Sequence, residues 1–382
     1  MYELLKQTAP VLHLTDNPLP DNDTLYEWIN RAVSVPAPSG GSGLPGSSGE
    51  VLEEILASSG VGSKLQHNYK GTGNTLLWLG ADKTRPDIVL TSHMDRPTFR
   101  ISDLNSGTLY PICSDRFPED EHRVGAVASR FEDGKLVTGA QGTLISGPAS
   151  DGGSLRFEVE AGELQWADSI TLYEPIQRDG DHIIGTGFDN AIGIITLAMT
   201  AGVFAAVEAD LKAKGKTLVF AFTEHEEGPP SGYFFSQGAS RLAHSLEQPL
   251  IGAVNVDGHS ADDNQVTIGQ GASHGVISST GRGSVAPPNF AAMAESLAQW
   301  ANAIQPDSVQ MNYGYISRSD DMALHRWSRV IGLAGIPLKD AHTAHESAHL
   351  TDLVACSQWL VHFLVAALGY VPTISETYLL HR

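Results

Sequence analysis

Cysteine is nearly absent: Cys113 and Cys356 are the two in 382 residues. They lie too far apart in sequence to suggest a disulfide framework, which fits a reducing compartment and a cytoplasmic location. Basic residues are scarce as well, with 24 Lys plus Arg against 44 Asp plus Glu and a formal net charge of -20. Such a surface repels nucleic acid and anionic membranes, so it excludes partners without naming one. The most apolar segments, Ile192 to Val207 and Leu353 to Leu368, are too short or are broken by Gln358 and His362, and read as buried helices rather than bilayer spans. Met1 to Pro20 has no cationic start followed by a long apolar stretch, so no signal peptide is expected. Internal repeats are missing, and compositional bias is confined to a Pro-, Gly- and Ser-rich stretch from Pro36 to Gly49.

What remains is a chain with 41% hydrophobic residues, enough to bury a substantial core in one large domain or two ordinary ones. Asp23 to Val35 has helical spacing at Leu25, Trp28, Ile29 and Ala32, with cap candidates in Asp21, Asn22 and Asp23. Glu50 to Ala57 reads as a second helix, and Ala191 to about Lys214 as a long one. Between Pro97 and Leu172, short segments rich in Val, Ile, Thr and Gly alternate with turn signals, the pattern of a small β-barrel.

Three apolar runs end on polar residues of metal-binding type. Ile88-Val89-Leu90 leads to His93-Met94-Asp95, Leu218 to Phe222 leads to Glu226-Glu227, and Ile251 to Val256 leads to Asp257. Runs without polar alternation predict strands buried on both faces of a helix-covered sheet, where ligands collect beyond the carboxyl ends of the strands. In His93-Met94-Asp95, Asp95 can reach the ring nitrogen that His93 does not give to a metal, fixing the tautomer. Asp189 opens a helix, where the dipole favours an anion, and Asn190 beside it can take over the capping groups. Both glutamates of the 226–227 pair can serve one site if the chain turns, and Gly228 to Gly232 offers such a turn. One carboxylate can then bind metal while the other stays free as a base.

A competing motif lies in the segment His342 to His349. His345-Glu346-Ser347-Ala348-His349 matches the helical H-E-x-x-H zinc site. Against it, Thr343 and Glu346 read as a capping box, and the other strand-end residues would be left without a purpose.

The ordered set His93-Met-Asp95, Gly187-Phe-Asp189-Asn190, Glu226-Glu227, Asp257 and His342-Thr-Ala-His-Glu346 resembles the tetrahedral (TET-type) aminopeptidase family, which includes glutamyl aminopeptidases and endoglucanase-like proteins. The resemblance covers nearly the whole chain. It implies an α/β fold with a mixed central sheet sandwiched by helices: a dimetal catalytic domain at 1–96 and 173–382, and an inserted β-barrel domain at 97–172. It implies two divalent cations, zinc or alternatively cobalt, with Asp189 bridging them, His93 and Asp257 on one, and Glu227 and His342 on the other. Glu226 becomes the general base and Asp95 the partner of His93. His259, Arg318, Asp320 and Asp321 are candidates for the substrate pocket rim. The implied activity is removal of the N-terminal residue of short peptides by a homo-oligomer, commonly a dodecamer. An N-acyl amino acid deacylase and a non-catalytic metal-binding assembly protein are the alternatives. The chain departs from the family's pattern at Ala191-Ile192-Gly193, where the family usually has Arg, and at Pro229 and Ser319.

Overall fold

β-Branched and aromatic side chains pack well on a pleated surface covered on both sides, and the apolar runs form such strands. The computed structural model describes residues 19–110, 122–147, 155–227, 236–262, 265–277, 284–315 and 319–379. In chain order come α1 (Asn22–Ser34), α2 (Ser48–Ser58), β1 (Thr75–Gly80), β2 (Ile88–His93), β3 (Thr98–Asp103), β4 (Thr108–Tyr110), β5 (His122–Glu132) and β6 (Lys135–Ser146). Next are β7 (Leu155–Gly162), β8 (Ser169–Leu172), β9 (Gln177–Asp179), β10 (His182–Gly185), α3 (Phe188–Ala206), α4 (Glu208–Ala213), β11 (Thr217–Thr223) and α5 (Gln237–Ser245). The chain continues with β12 (Gly252–Ser260), β13 (Ala272–Gly275), α6 (Pro288–Ile304), β14 (Val309–Asn312), α7 (Asp321–Leu324), β15 (Val330–Leu338), β16 (Glu346–His349) and α8 (Leu350–Ala367).

Seven strands form a mixed sheet in the order β1-β11-β2-β12-β15-β13-β14. Its centre, β11 to β15, is parallel, with β1 antiparallel on one side and β13 antiparallel on the other. Every residue of β2, β11 and β15 is buried. Alternation along the pleat sends Leu77, Leu90, Phe220, Phe222 and Val254 into one core, shared with α1, α2, α3 and α8. It sends Leu76, Val89, Val219 and Ala253 to the opposite face, under Leu242 of α5 and Leu324 of α7. The mixed, helix-covered sheet expected from the sequence is therefore present. The two most apolar helices, α3 and α8, are 89% and 83% buried over their most apolar stretches, which accounts for their composition without a membrane.

Helix α1 starts where Asp21 accepts a hydrogen bond from the Thr24 amide at 2.8 Å. It buries Leu25, Ile29, Ala32 and Val33. The long helix read from 191 to about 214 is two helices, α3 and α4, separated at Val207. Strands β3-β4-β7-β6-β5-β8 close into an antiparallel barrel around Phe99, Ile101, Leu144, Phe157 and Ile170. The Pro-, Gly- and Ser-rich stretch is an ordered loop between barrel and sheet. The Leu136 amide of β6 donates to the Pro45 carbonyl at 2.8 Å, and the Arg96 amide donates to the Ala37 carbonyl at 2.9 Å.

Candidate metal centre

Parallel strands β11, β2 and β12 lie side by side, so their carboxyl ends deliver the glutamate pair, His93 and Asp257 to one place. Asp189 arrives from the start of α3 and His342 from the connection between β15 and β16. His93 Nε2 lies 3.2 Å from Asp189 Oδ1, 3.5 Å from Asp257 Oδ1 and 3.9 Å from Glu226 Oε2. His342 Nε2 lies 3.1 Å from Asp189 Oδ2 and 2.6 Å from Glu227 Oε1. The two oxygens of Asp189 thus face two different imidazoles. All six side chains named here, except Asp189, come from residues with 6% exposure or less.

The first turn of α3 makes this possible. Asp189 and Asn190 have non-helical backbone angles, and it is Asn190 that caps the helix, accepting from the Gly193 amide at 3.0 Å. The Asn190 side-chain amide also donates to Ser92 Oγ and the Val256 carbonyl, both at 3.1 Å, tying the turn to β2 and β12. A Cβ at Gly193 would stand 2.0 Å from Asn190 Oδ1, so the capped turn requires glycine there. Asp189 keeps both oxygens for the cluster.

The glutamate pair is turned by His225, whose φ is +57°, in the left-handed region. The turn expected at Gly228 to Gly232 lies outside the described residues. Asp95 then clamps the pair from behind, its carboxylate accepting the Glu226 amide at 2.9 Å and the Glu227 amide at 3.1 Å. Ser39 Oγ, from the ordered loop, adds a third bond to Asp95 at 2.6 Å. The expected bond between the Asp95 carboxylate and His93 is not formed. That distance is 3.7 Å, and His93 Nδ1 instead lies 3.0 Å from the Asp95 main-chain carbonyl.

A carbonyl only accepts, so His93 carries its proton on Nδ1 and aims a lone pair from Nε2 at three carboxylates. Like charge and lone pairs at this range repel unless a proton or a cation lies among them. Burial would lower the His93 pKa, but Glu226, Asp257 and Asp189 outweigh it and hold it well above the usual value. Asp189 is pulled well below the carboxylate range by His342 and His93 against its burial. Glu226 is pushed well above that range, by burial first, with Glu227, Asp257 and Asp320 adding to it against the pull of His93. Asp189 Oδ1 is buried without a hydrogen-bond partner. His93, Asp189 and Glu227, and likewise His93, Glu226 and Asp257, bring ligand atoms within 4.8 Å of one another. Imidazole and carboxylate donors in this arrangement fit a divalent cation of the zinc type.

The H-E-x-x-H segment is not helical. Glu346 to His349 form β16, paired with β10, so His345 and His349 do not share a helix face. The capping-box reading of Glu346 fails for the same reason. Its carboxylate accepts amides from His342 at 2.7 Å, from Asp189 at 3.3 Å and from Phe188. The rim candidates are buried rather than exposed. His259 stacks on Tyr315 with ring centres 3.8 Å apart, its Nδ1 2.6 Å from Ser273 Oγ, and burial with His274 pushes its pKa down to about 3. Asp320 accepts from Thr223 Oγ1, and Asp321 accepts the Ser284 amide at 2.9 Å; both are fully buried. Arg318 lies outside the described residues.

Sheet and cluster together define the class: a peptidase-type hydrolase with a buried, divalent-metal-binding set of histidines and carboxylates. Residues 159–366 match the model of Peptidase family M20/M25/M40, and the chain belongs to that family. No curated protein matches it by sequence. Among solved structures, an aminopeptidase from the archaeon Desulfurococcus kamchatkensis aligns with a TM-score of 0.69 at 19% identity, over 92% of this chain and 98% of that one. The TET1 peptidase of Pyrococcus horikoshii, which can assemble into a tetrahedron or a large octahedral shell, aligns with a TM-score of 0.66 at 17% identity, over 88% and 98%. A Thermotoga maritima protein named endoglucanase aligns with a TM-score of 0.58 at 16% identity, over 91% and 99%. At these identities the likeness is one of fold, shared with the family that the ordered motif resembles.

Proposed function

We propose that the chain is an aminopeptidase that holds two divalent cations, with Asp189 shared between them, His93 and Asp257 on one side and Glu227 and His342 on the other. The observation that carries this reading is the division of the Asp189 oxygens, one 3.2 Å from His93 and the other 3.1 Å from His342. Bound cations of this kind supply Lewis acidity, lowering the pKa of water and polarising a peptide carbonyl. Glu226 is the group left for proton transfer, taking a proton from the attacking water and returning it to the leaving amine. Its raised affinity for protons suits that duty. Asp95 keeps Glu226 and Glu227 in register through their amides. His259, Arg318, Asp320 and Asp321 remain candidates for contact with the substrate.

The further parts of the reading are zinc as the metal, with cobalt as the alternative, a cytoplasmic location, a homo-oligomer and a separate barrel domain at 97–172. Assembly is supported by the fold neighbours, one of which is a dodecamer and another a tetrahedron or octahedral shell. The test of function is a panel of aminoacyl-anilides with added zinc or cobalt, each paired with its N-acetyl derivative. Hydrolysis confined to the free amines is the expected result. Equal or preferential cleavage of the acetylated substrates would replace the aminopeptidase by a deacylase.

A further inference from the structure

The two segments that meet at Asp189 and His342 come from distant parts of the chain, and they are fastened to each other twice. At one end β10 pairs with β16, matching Gly185 with Glu346. At the other end stands the Glu346 side chain, which is 1% exposed. One carboxylate oxygen accepts the His342 amide at 2.7 Å, and the other accepts the amides of Phe188 and Asp189, the latter at 3.3 Å. His342 has a φ of +67°, a left-handed conformation disfavoured for any residue with a β-carbon. Nothing in a strand or helix holds it there, since it lies between β15 and β16. The short bond to Glu346 does so instead. His93 and Asp257, by contrast, take their positions from β2 and β12.

We propose that Glu346 is a positioning residue whose carboxylate locks the backbones of Asp189 and His342 together and thereby sets the affinity of the cation position formed by His342 and Glu227. It touches neither cation nor substrate. A glutamine at this position keeps the size of the side chain but offers one acceptor oxygen where three amides need two, so one amide faces an NH2 group. The consequence is uneven: the His342 and Glu227 position loses the hold on both His342 and Asp189, while the His93 and Asp257 position keeps its strand-borne donors and is disturbed only through the shared Asp189.

This inference rests on the two-cation reading above, and the experiment separates the two. Zinc alone is titrated into the metal-free full-length chain, followed by calorimetry and by native mass spectrometry. Wild type should bind two ions per chain, and a single binding step would sink the two-cation reading. With two steps in wild type, Glu346→Gln should weaken one step by roughly 10- to 100-fold, weaken the other at least several-fold less, and still melt cooperatively without metal. Glu346→Asp, which keeps both acceptor oxygens on a shorter stem, should recover part of the loss. Two unchanged steps, or two steps weakened alike, would overturn the positioning role. So would failure of both variants to fold, because the carboxylate would then serve the fold as a whole.

Discussion

His93 and His342 sit on either side of one aspartate and are held by opposite means. His93 ends a strand whose register is fixed by β11, where Thr223 pairs with His93, and its neighbour Asp257 lies inside β12 opposite Gly335 of β15. His342 lies in a connection with a left-handed backbone, beside Ala344, which packs into the core of the barrel. Glu227, its partner at 2.6 Å, is likewise outside any strand and depends on the Asp95 carboxylate for its place. Backbone ladders position the first pair at no cost in dedicated side chains. The second pair needs buried carboxylates to hold amide groups, one for each ligand. Two cations bound by such unlike supports should differ in how easily they are lost.

Changing the shared residue should abolish the comparison outright. Asp189→Ala removes the carboxylate whose two oxygens lie 3.2 Å from His93 and 3.1 Å from His342, and on the two-cation proposal turnover should vanish together with both cations, read by metal analysis after gel filtration. Retention of two tightly held ions would show that the halves do not depend on Asp189. Glu226→Gln should spare both halves while removing the proton acceptor, so turnover of an aminoacyl-anilide falls by about 10²- to 10⁴-fold with the cation count unchanged. Near-normal rates in that variant would assign proton transfer elsewhere.

Acidity should loosen the cation held by His93. Burial opposes protonation of His93, but Glu226, Asp257 and Asp189 prevail and hold its pKa well above normal. A cation must displace that proton, so affinity rises with pH, about tenfold per pH unit for each proton displaced, and levels off above the raised pKa. Zinc titrations in buffers of different ionisation enthalpy read the proton release directly, and a pH-independent affinity would contradict the carboxylate cage around Nε2. The smallest effect is expected from Ser39→Ala, which takes one of three hydrogen bonds from Asp95. It should cost about 1.5–3 kcal/mol in urea unfolding of the metal-free chain. Any loss of cation affinity should fall on the step assigned to Glu227 and His342.

The strand-borne half of the cluster was the more legible in the sequence, for the same physical reason that makes it rigid. A short apolar run such as Ile88 to Leu90 reads as a strand buried on both faces, so the polar residues at its end are marked by contrast. That β11, β2 and β12 are neighbours follows from long-range pairing, which no local pattern encodes. In the other half Glu227 was marked by the apolar run Leu218 to Phe222 before it, the pairing with His342 came from a resemblance in residue order, and the supports of both were missed or misassigned. Glu346 has the spacing of a capping box, but tertiary pairing with β10 makes the segment a strand, and its carboxylate goes to amides far away in sequence. Ser39 had no signal beyond its place in a loop rich in Pro, Gly and Ser. Asp95 was expected to grip an imidazole and grips two amides instead, because the His93 ring finds the nearer main-chain carbonyl.

The barrel enters the chain at β3 and leaves it at β8, and these two strands are hydrogen-bonded neighbours, with Thr98 opposite Thr171. Because exit and re-entry are neighbours, the far strands of the barrel can grow, shrink or acquire new outer surfaces without shifting the register of β2, on which His93 stands, whereas His342 is tied to the barrel through Ala344. The outer surface of the barrel can therefore change by mutation while His93 and Asp257 stay where the sheet puts them.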